Sequence, residues 1–163
     1  MSISLVRIDD RMIHGQIVIM WTKFYQGDAL IVLADDVTAK DPMMVNILKK
    51  AGAAMMKKVY VFDVEEAVEK LPKVIASDKK YFLISKKLHQ LAEVHRRGID
   101  FGHEIIFGTA SQLPNTKGVH NNIYLSEEDV KDCEYLDSQG IKLNFKLIPA
   151  EKGTTWKEIK KQL

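Results

Sequence analysis

A single cysteine, Cys133, rules out an internal disulfide, so the fold must be held by its core. That usage fits a reducing, cytoplasmic setting, and the position of Cys133 in a helical pattern predicts a small buried hydrophobe. No stretch approaches the roughly 18 apolar residues of a membrane span, and Met1-Ser2-Ile3-Ser4-Leu5 runs straight into a strand pattern, which predicts no signal peptide. A net charge of +2, with Lys and Arg spread along the chain, excludes a nucleic-acid footprint. Neither G-x-G-x-x-G nor G-x-x-x-x-G-K-[ST] occurs, which argues against a plain nucleotide-binding module. His89, His95, His103 and His120 lack metal-ligand spacing. His89 and His95 are six apart, not the three or four that share a helix face, so all four are read as surface or structural and no metal or cofactor is expected. No linker, repeat or low-complexity segment divides the 163 residues, so one domain over 1–163 is expected.

What is present is an alternation of short apolar runs with longer helical patterns. Strands are predicted at Ile3–Arg7, Leu30–Ala34, Lys58–Phe62, Lys80–Ile84, Glu104–Phe107, Asn122–Leu125 and Ile141–Ile148. Several are apolar nearly throughout, as strands covered on both faces are. Helices are predicted at His14–Phe24, Pro42–Ala51, Val64–Val74, Leu88–Arg97, Glu127–Ser138 and Thr155–Gln162. Asp41-Pro42 offers an N-cap and a first-turn proline, Ser126 with Asp129 a capping box, and Gly98 and Gly140 helix C-terminal glycines. The pattern predicts an α/β fold: a doubly wound, mostly parallel open sheet of about seven strands with helices on both faces. The last predicted strand follows a short turn and could form an antiparallel edge.

The densest chemistry lies in the first strand-to-helix turn, Arg7-Ile8-Asp9-Asp10-Arg11-Met12-Ile13-His14-Gly15-Gln16-Ile17. In such a fold this turn sits at the carboxyl end of the sheet, where ligands bind. Gly15 and Gln16 open a helix whose free amides and dipole favour an anion, and Gly15 permits close approach. Arg7 and Arg11 add forked donors suited to phosphate oxygens. Together they describe a site that can hold a phosphoryl group on or beside His14. One of Asp9 and Asp10 can take the proton of one ring nitrogen and leave the other nucleophilic; the second can pair with an arginine. Asp9, two residues along an extended segment from Arg7, shares its face, and Asp10 points the other way. Met12 and Ile13 are either partner contacts or buried anchors of the turn.

This motif, with Trp21 a few residues on, resembles the active-site signature of the IIB components of the mannose/fructose/sorbose family of the bacterial sugar phosphotransferase system. The resemblance continues through Leu33-Ala34-Asp35-Asp36, Asp41-Pro42, Ser126-Glu127-Glu128-Asp129 and Gly140-Ile141 to Pro149. It implies that His14 is a phosphohistidine intermediate, modified at Nδ1. His14 would take the group from a phosphohistidine of a IIA component and pass it to a hexose or amino sugar entering through membrane IIC and IID components. It implies a cytoplasmic phosphotransferase associated peripherally with the permease, with Arg7 and Arg11 as the basic residues around the phosphate. Where many members carry Asn-Val-Gly-Gly or Asn-Val-Gly-Asn, this chain has Ile106-Phe107-Gly108-Thr109-Ala110-Ser111. Gly108 matches; the hydroxyls of Thr109 and Ser111 either touch phosphate or cap a turn.

Further candidates lie at the same sheet end. Asp35 and Asp36 could bind Arg11 or cap a helix, with Asp36 read as structural. Ser85, Lys86 and Lys87 could add donors and positive potential, or open a solvated helix. The Met43-Met44 and Met55-Met56 pairs read as core filler or turn surface, and Trp21 is expected to pack on the sheet. A competing function is a receiver-like signalling module, with Asp9-Asp10 binding a metal and an aspartate such as Asp63 taking the phosphate. It leaves His14 without a task.

Overall fold

The computed structural model describes every residue except His14, Met55 and Lys57, and leaves the side chains of Gly15, Gln16 and Ile17 undescribed. Among the described residues nine strands form: β1 Ile3–Asp9, β2 Ala29–Leu33, β3 Lys58–Phe62, β4 Tyr81–Ser85, β5 Glu104–Thr109, β6 Lys117–His120, β7 Ile123–Leu125, β8 Lys142–Phe145 and β9 Thr154–Thr155. The helices are α1 Gly15–Thr22, α2 Asp36–Lys40, α3 Pro42–Ala53, α4 Val64–Ile75, α5 Leu88–Arg96, α6 Glu127–Ser138 and α7 Trp156–Lys160.

Local chemistry explains the helix ends. The Asp41 carboxylate accepts from the amides of Met43 (2.9 Å) and Met44, with Pro42 next to it at the helix start. Ser126 and Asp129 close the expected capping box on α6. Gly98 and Gly140, at φ 87 and 82, follow α5 and α6 in the left-handed conformation that glycine adopts without penalty.

Seven strands form one sheet in the order β3-β2-β4-β1-β5-β8-β9, parallel except for the β8–β9 pair. The seven differ in membership from the seven predicted. The segment from Ile141 pairs in parallel with β5, and the antiparallel edge is the two-residue β9. The predicted Asn122–Leu125 strand is β7, which pairs with β6 in a separate hairpin. That hairpin is fastened to the end of β5, where the Ala110 amide donates to the Asn122 carbonyl and the Tyr124 amide to the Ala110 carbonyl.

Side chains alternate across the sheet. Leu5, Leu30, Val32, Phe82 and Ile106 join Trp21 of α1 and Leu48 of α3 on one face. Val6, Ile31, Leu83, Ile105 and Phe107 meet α4, α5, α6 and α7 on the other. Each fully buried Leu, Ile or Phe contributes about 1.5–3 kcal/mol relative to exposure. Cys133 is buried among them, as expected, and burial pushes its thiol well up. From β1 the chain leaves through α1 toward β2; from β5 it returns through α6, on the opposite face, toward β8. The carboxyl ends of β1 and β5 are therefore the point where the winding reverses, and a crevice opens there.

Candidate functional site

At that point β1 and β5 fall out of step. Ile8 pairs with Phe107, but Asp9 pairs with Thr109, so Gly108 is an extra residue in β5. Such a bulge re-aims the side chains beside it. The space it leaves is filled by Arg7: a Cβ on Gly108 would fall 1.8 Å from Arg7 Nη2.

Arg7 is only 1% exposed. Its Nε and Nη2 donate to Asp9 Oδ2 at 3.2 and 3.1 Å, and its Cζ lies 5.3 Å from the centroid of the buried Trp21 ring. Arg7 Nη1 and Trp21 Nε1 are buried and meet no hydrogen-bond acceptor among the described residues. Burial pulls the guanidinium below its ordinary value, opposed by the charge and hydrogen bonds of Asp9.

Asp9 is equally buried, and its other oxygen, Oδ1, accepts from the Arg11 amide at 3.2 Å and from Thr109 Oγ1 at 2.8 Å. It therefore ties β1, the turn and β5 together. Asp10 turns the other way. Its Oδ1 faces Thr109 Oγ1 at 2.7 Å, and its Oδ2 accepts from the Ser111 amide at 2.7 Å. One hydroxyl has one proton, so Thr109 serves the two carboxylates alternately. Burial pushes the Asp10 carboxyl up, but the Ser111 and Thr109 hydrogen bonds and the Arg11 charge outweigh it and hold the group below its ordinary range. The turn closes with the Met12 amide donating to the Asp9 carbonyl at 2.8 Å, and Met12 itself sits at φ 56. A left-handed non-glycine residue costs on the order of 1–2 kcal/mol, so the surrounding contacts impose this shape. Met12 and Ile13 pack against the Trp21 side of the core and anchor the turn.

The structure thus brings Arg7, Asp9, Asp10, Gly108 and Thr109 together, with the exposed Arg11 side chain beside them. His14 lies outside the described residues, as does the Gln16 side chain; the backbone of Gly15 begins α1. Asp35 and Ser85 are not brought into the cluster. Asp35 caps α2 by accepting from the Thr38 amide, which holds its carboxyl low, and it faces Lys86 at 3.8 Å. Ser85 is fully buried, and its hydroxyl bonds the Lys87 carbonyl and Gln90 Oε1 inside the start of α5. Asp36 pairs with Lys40 on the surface. His89 and His95 tie α5 to α6 through Asp132 and Tyr135, a structural use. Trp21 packs on the sheet as expected; Met56 is buried, Met43 is exposed, and Met55 is outside the described residues.

Beside Asp10 and Ser111, on the α5 and α6 side, a cleft of about 320 Å³ opens over Ile8, Phe107 and Tyr124, with Lys86 at its rim. Among the described residues no group of three or more His, Cys, Asp or Glu side chains is placed to hold a metal ion, and no helix is long and apolar enough to cross a membrane. Sequence reasoning missed two features. The Ser111 backbone amide, and not a side chain alone, meets Asp10. Lys146, just past β8, places its Nζ 5.5 Å from the Trp21 ring centroid. Only the alternation of side chains along β8 hints at the second.

A carboxylate strut, one sequestered and one accessible guanidinium and a helix start at a winding reversal make an arrangement whose chemistry suits an oxyanion. The family model for the sorbose-subfamily IIB component of the sugar phosphotransferase system matches residues 3–163. The sorbose-specific EIIB component of Klebsiella pneumoniae is 30% identical over 151 residues, 93% of this chain and 90% of that protein. The crystal structure of the IIBSor domain of the sorbose permease from Klebsiella pneumoniae superposes with a TM-score of 0.89 at 25% identity, covering 99% of this chain and 98% of that one. The mannose-specific EIIAB component of Escherichia coli K12 is 25% identical over 151 residues, 93% of this chain and 46% of that protein.

Proposed function

Because the chain belongs to the sorbose subfamily of IIB components, phosphotransferases of sugar uptake, we propose that its His14 carries the phosphoryl group. The donor is a phosphohistidine of a IIA component and the acceptor a hexose or amino sugar held by membrane IIC and IID components. The chain then acts as one IIB domain in the cytoplasm, docked at the permease. The EIIAB composition named for the mannose relative supports a IIA partner.

The observation that carries this reading is the unequal pair of arginines at the reversal point. Arg7 is sealed against Asp9, Trp21 and Gly108, whereas the Arg11 side chain is exposed. Arg11 and the amides at the start of α1 hold phosphate oxygens, and Arg7 sets the turn from behind. In the transfer the donor P–N bond breaks as the bond to His14 Nδ1 forms. The donor nitrogen keeps the electron pair, and the positive groups stabilise charge on the three equatorial oxygens. With Asp9 spent as a strut, the partly exposed Asp10 is the carboxylate open to the imidazole. A seat of this kind, with one accessible arginine, holds the group and still releases it to the next acceptor.

The receiver-like alternative is disfavoured by strand order. Asp63 follows the edge strand β3, three strand positions from β1, or about 14 Å at the usual spacing. Its carboxylate is buried and caps α4 by accepting from the Glu66 amide at 2.8 Å. Phosphorylated IIA protein is expected to label the wild type and not His14→Ala, with equal Tm for the two; full labelling of His14→Ala would end the assignment.

A further inference from the structure

We propose that Lys146 is a phosphate-binding residue of the same site, supplying a cation from β8 that complements Arg11 from the β1 turn; this rests on the phosphocarrier reading above. Lys146 lies one residue beyond β8. Its amide donates to the Phe107 carbonyl at 3.0 Å, which sets its backbone beside the Gly108 bulge. Alternation along β8 puts it on the face of Asn144, which bonds Glu104, and so on the α1 side of the sheet with Ile106 and Arg7. Its stem is confined: a Cβ on Gly153 would come within 3.3 Å of Lys146 Cδ. Its Nζ lies 5.5 Å from the Trp21 ring centroid, the ring that Arg7 also approaches.

Two cations therefore share one buried indole, and the one carboxylate within 4.0 Å of either, among the described residues, is Asp9, on Arg7. Glu151, whose charge also bears on Arg7, accepts from the Leu147 amide at 2.7 Å and forms no ion pair with Lys146, so among the described residues the Lys146 ammonium has no carboxylate within 4.0 Å. Arg7 Nη1 is there too, buried and without an acceptor among the described residues. A cation without a close carboxylate, next to an unfilled buried donor, points to an anion that is part of the working state, and the phosphoryl group is the anion this site handles. The half-buried Lys146 ammonium, a compact charge with three donors, can meet that group directly, which the sealed Arg7 guanidinium cannot do. Lys146 takes no part in bond making; it offsets charge on the equatorial oxygens while the P–N bonds exchange.

The bland role, a cation resting on Trp21, is separated by chemistry. Lys146→Met keeps an apolar stem on the indole and removes the charge; Lys146→Arg keeps the charge. The full chain is treated with phosphoramidate, a small P–N donor, and phosphorylation is followed by 31P NMR with the site mapped by mass spectrometry. Expected are labelling of His14 in all three proteins, a rate lowered about tenfold or more in Lys146→Met, near-complete recovery in Lys146→Arg, a shallower salt dependence in Lys146→Met, and an unchanged Tm. A Lys146→Met rate equal to wild type, or a loss not recovered by Lys146→Arg, overturns the proposal. Absence of label on His14 in the wild type overturns the phosphocarrier reading and this inference with it.

Discussion

Substituting alanine for Gly108 should damage the protein through one clash. Gly108 has no positive φ in this fold, so alanine is free of backbone strain there. An ordinary Gly→Ala exchange would even stabilise by about 0.4–1 kcal/mol through the unfolded chain. Here the new Cβ falls 1.8 Å from Arg7 Nη2 and 2.2 Å from its Cζ. The guanidinium cannot swing aside freely, since Trp21 and Asp9 enclose it and it is 1% exposed. Overpacking costs about 1–3 kcal/mol, and separating a buried ion pair about 3–5 kcal/mol if complete. With partial relaxation, a net loss of about 2–4 kcal/mol is expected. At this chain length that corresponds to a fall in Tm of about 5–15 °C. Urea unfolding should show a lower midpoint at unchanged slope, and His14 labelling should slow as the Asp9 strut loosens. In an Arg7→Met background most of the Gly108→Ala cost should vanish, because the clashing group is gone. An additive double mutant, or a Gly108→Ala protein as stable as wild type, would refute the clash.

Two further outcomes follow from the same geometry. Ser85→Ala should leave phosphoryl transfer unchanged while lowering stability by about 1 kcal/mol, because its hydroxyl serves the start of α5; slowed transfer at unchanged stability would place Ser85 in the site. The folded-state Asp10 carboxyl titrates below its ordinary value of 3.8, so its contribution is complete above the unfolded value and is lost as pH falls through the lower folded one. The stability difference between wild type and Asp10→Asn should accordingly be constant near neutrality and shrink only below about pH 4; a difference that decays between pH 5 and 7 would contradict the direction of that shift.

Much of this was legible because it is local. Strand β3 and helix α6 match their predicted bounds, since β-branched runs, caps and C-terminal glycines mark them within a few residues. The shared face of Arg7 and Asp9, and the opposite turn of Asp10, follow from strand alternation alone and recur as the Arg7–Asp9 pair and the Asp10–Ser111 contact. What was not legible depends on partners distant in sequence. The two residues of β9 and the four of β6 are strands by virtue of the pairing they receive. The five-residue α2 is shorter than a pattern can reveal. Nothing in a single sequence tells that Arg7 is sealed and Arg11 open, because the difference is made by Trp21 and by the Gly108 bulge one hundred residues away. Ser85 sits where a site hydroxyl would sit, yet its partner Gln90 turns it inward.

The chemical stability of the phosphoryl linkage tests the central claim most directly. Wild-type protein phosphorylated by its IIA partner should carry one group on His14 that is lost in mild acid and survives alkali. An alkali-labile, hydroxylamine-sensitive group mapping to an aspartate would contradict the account.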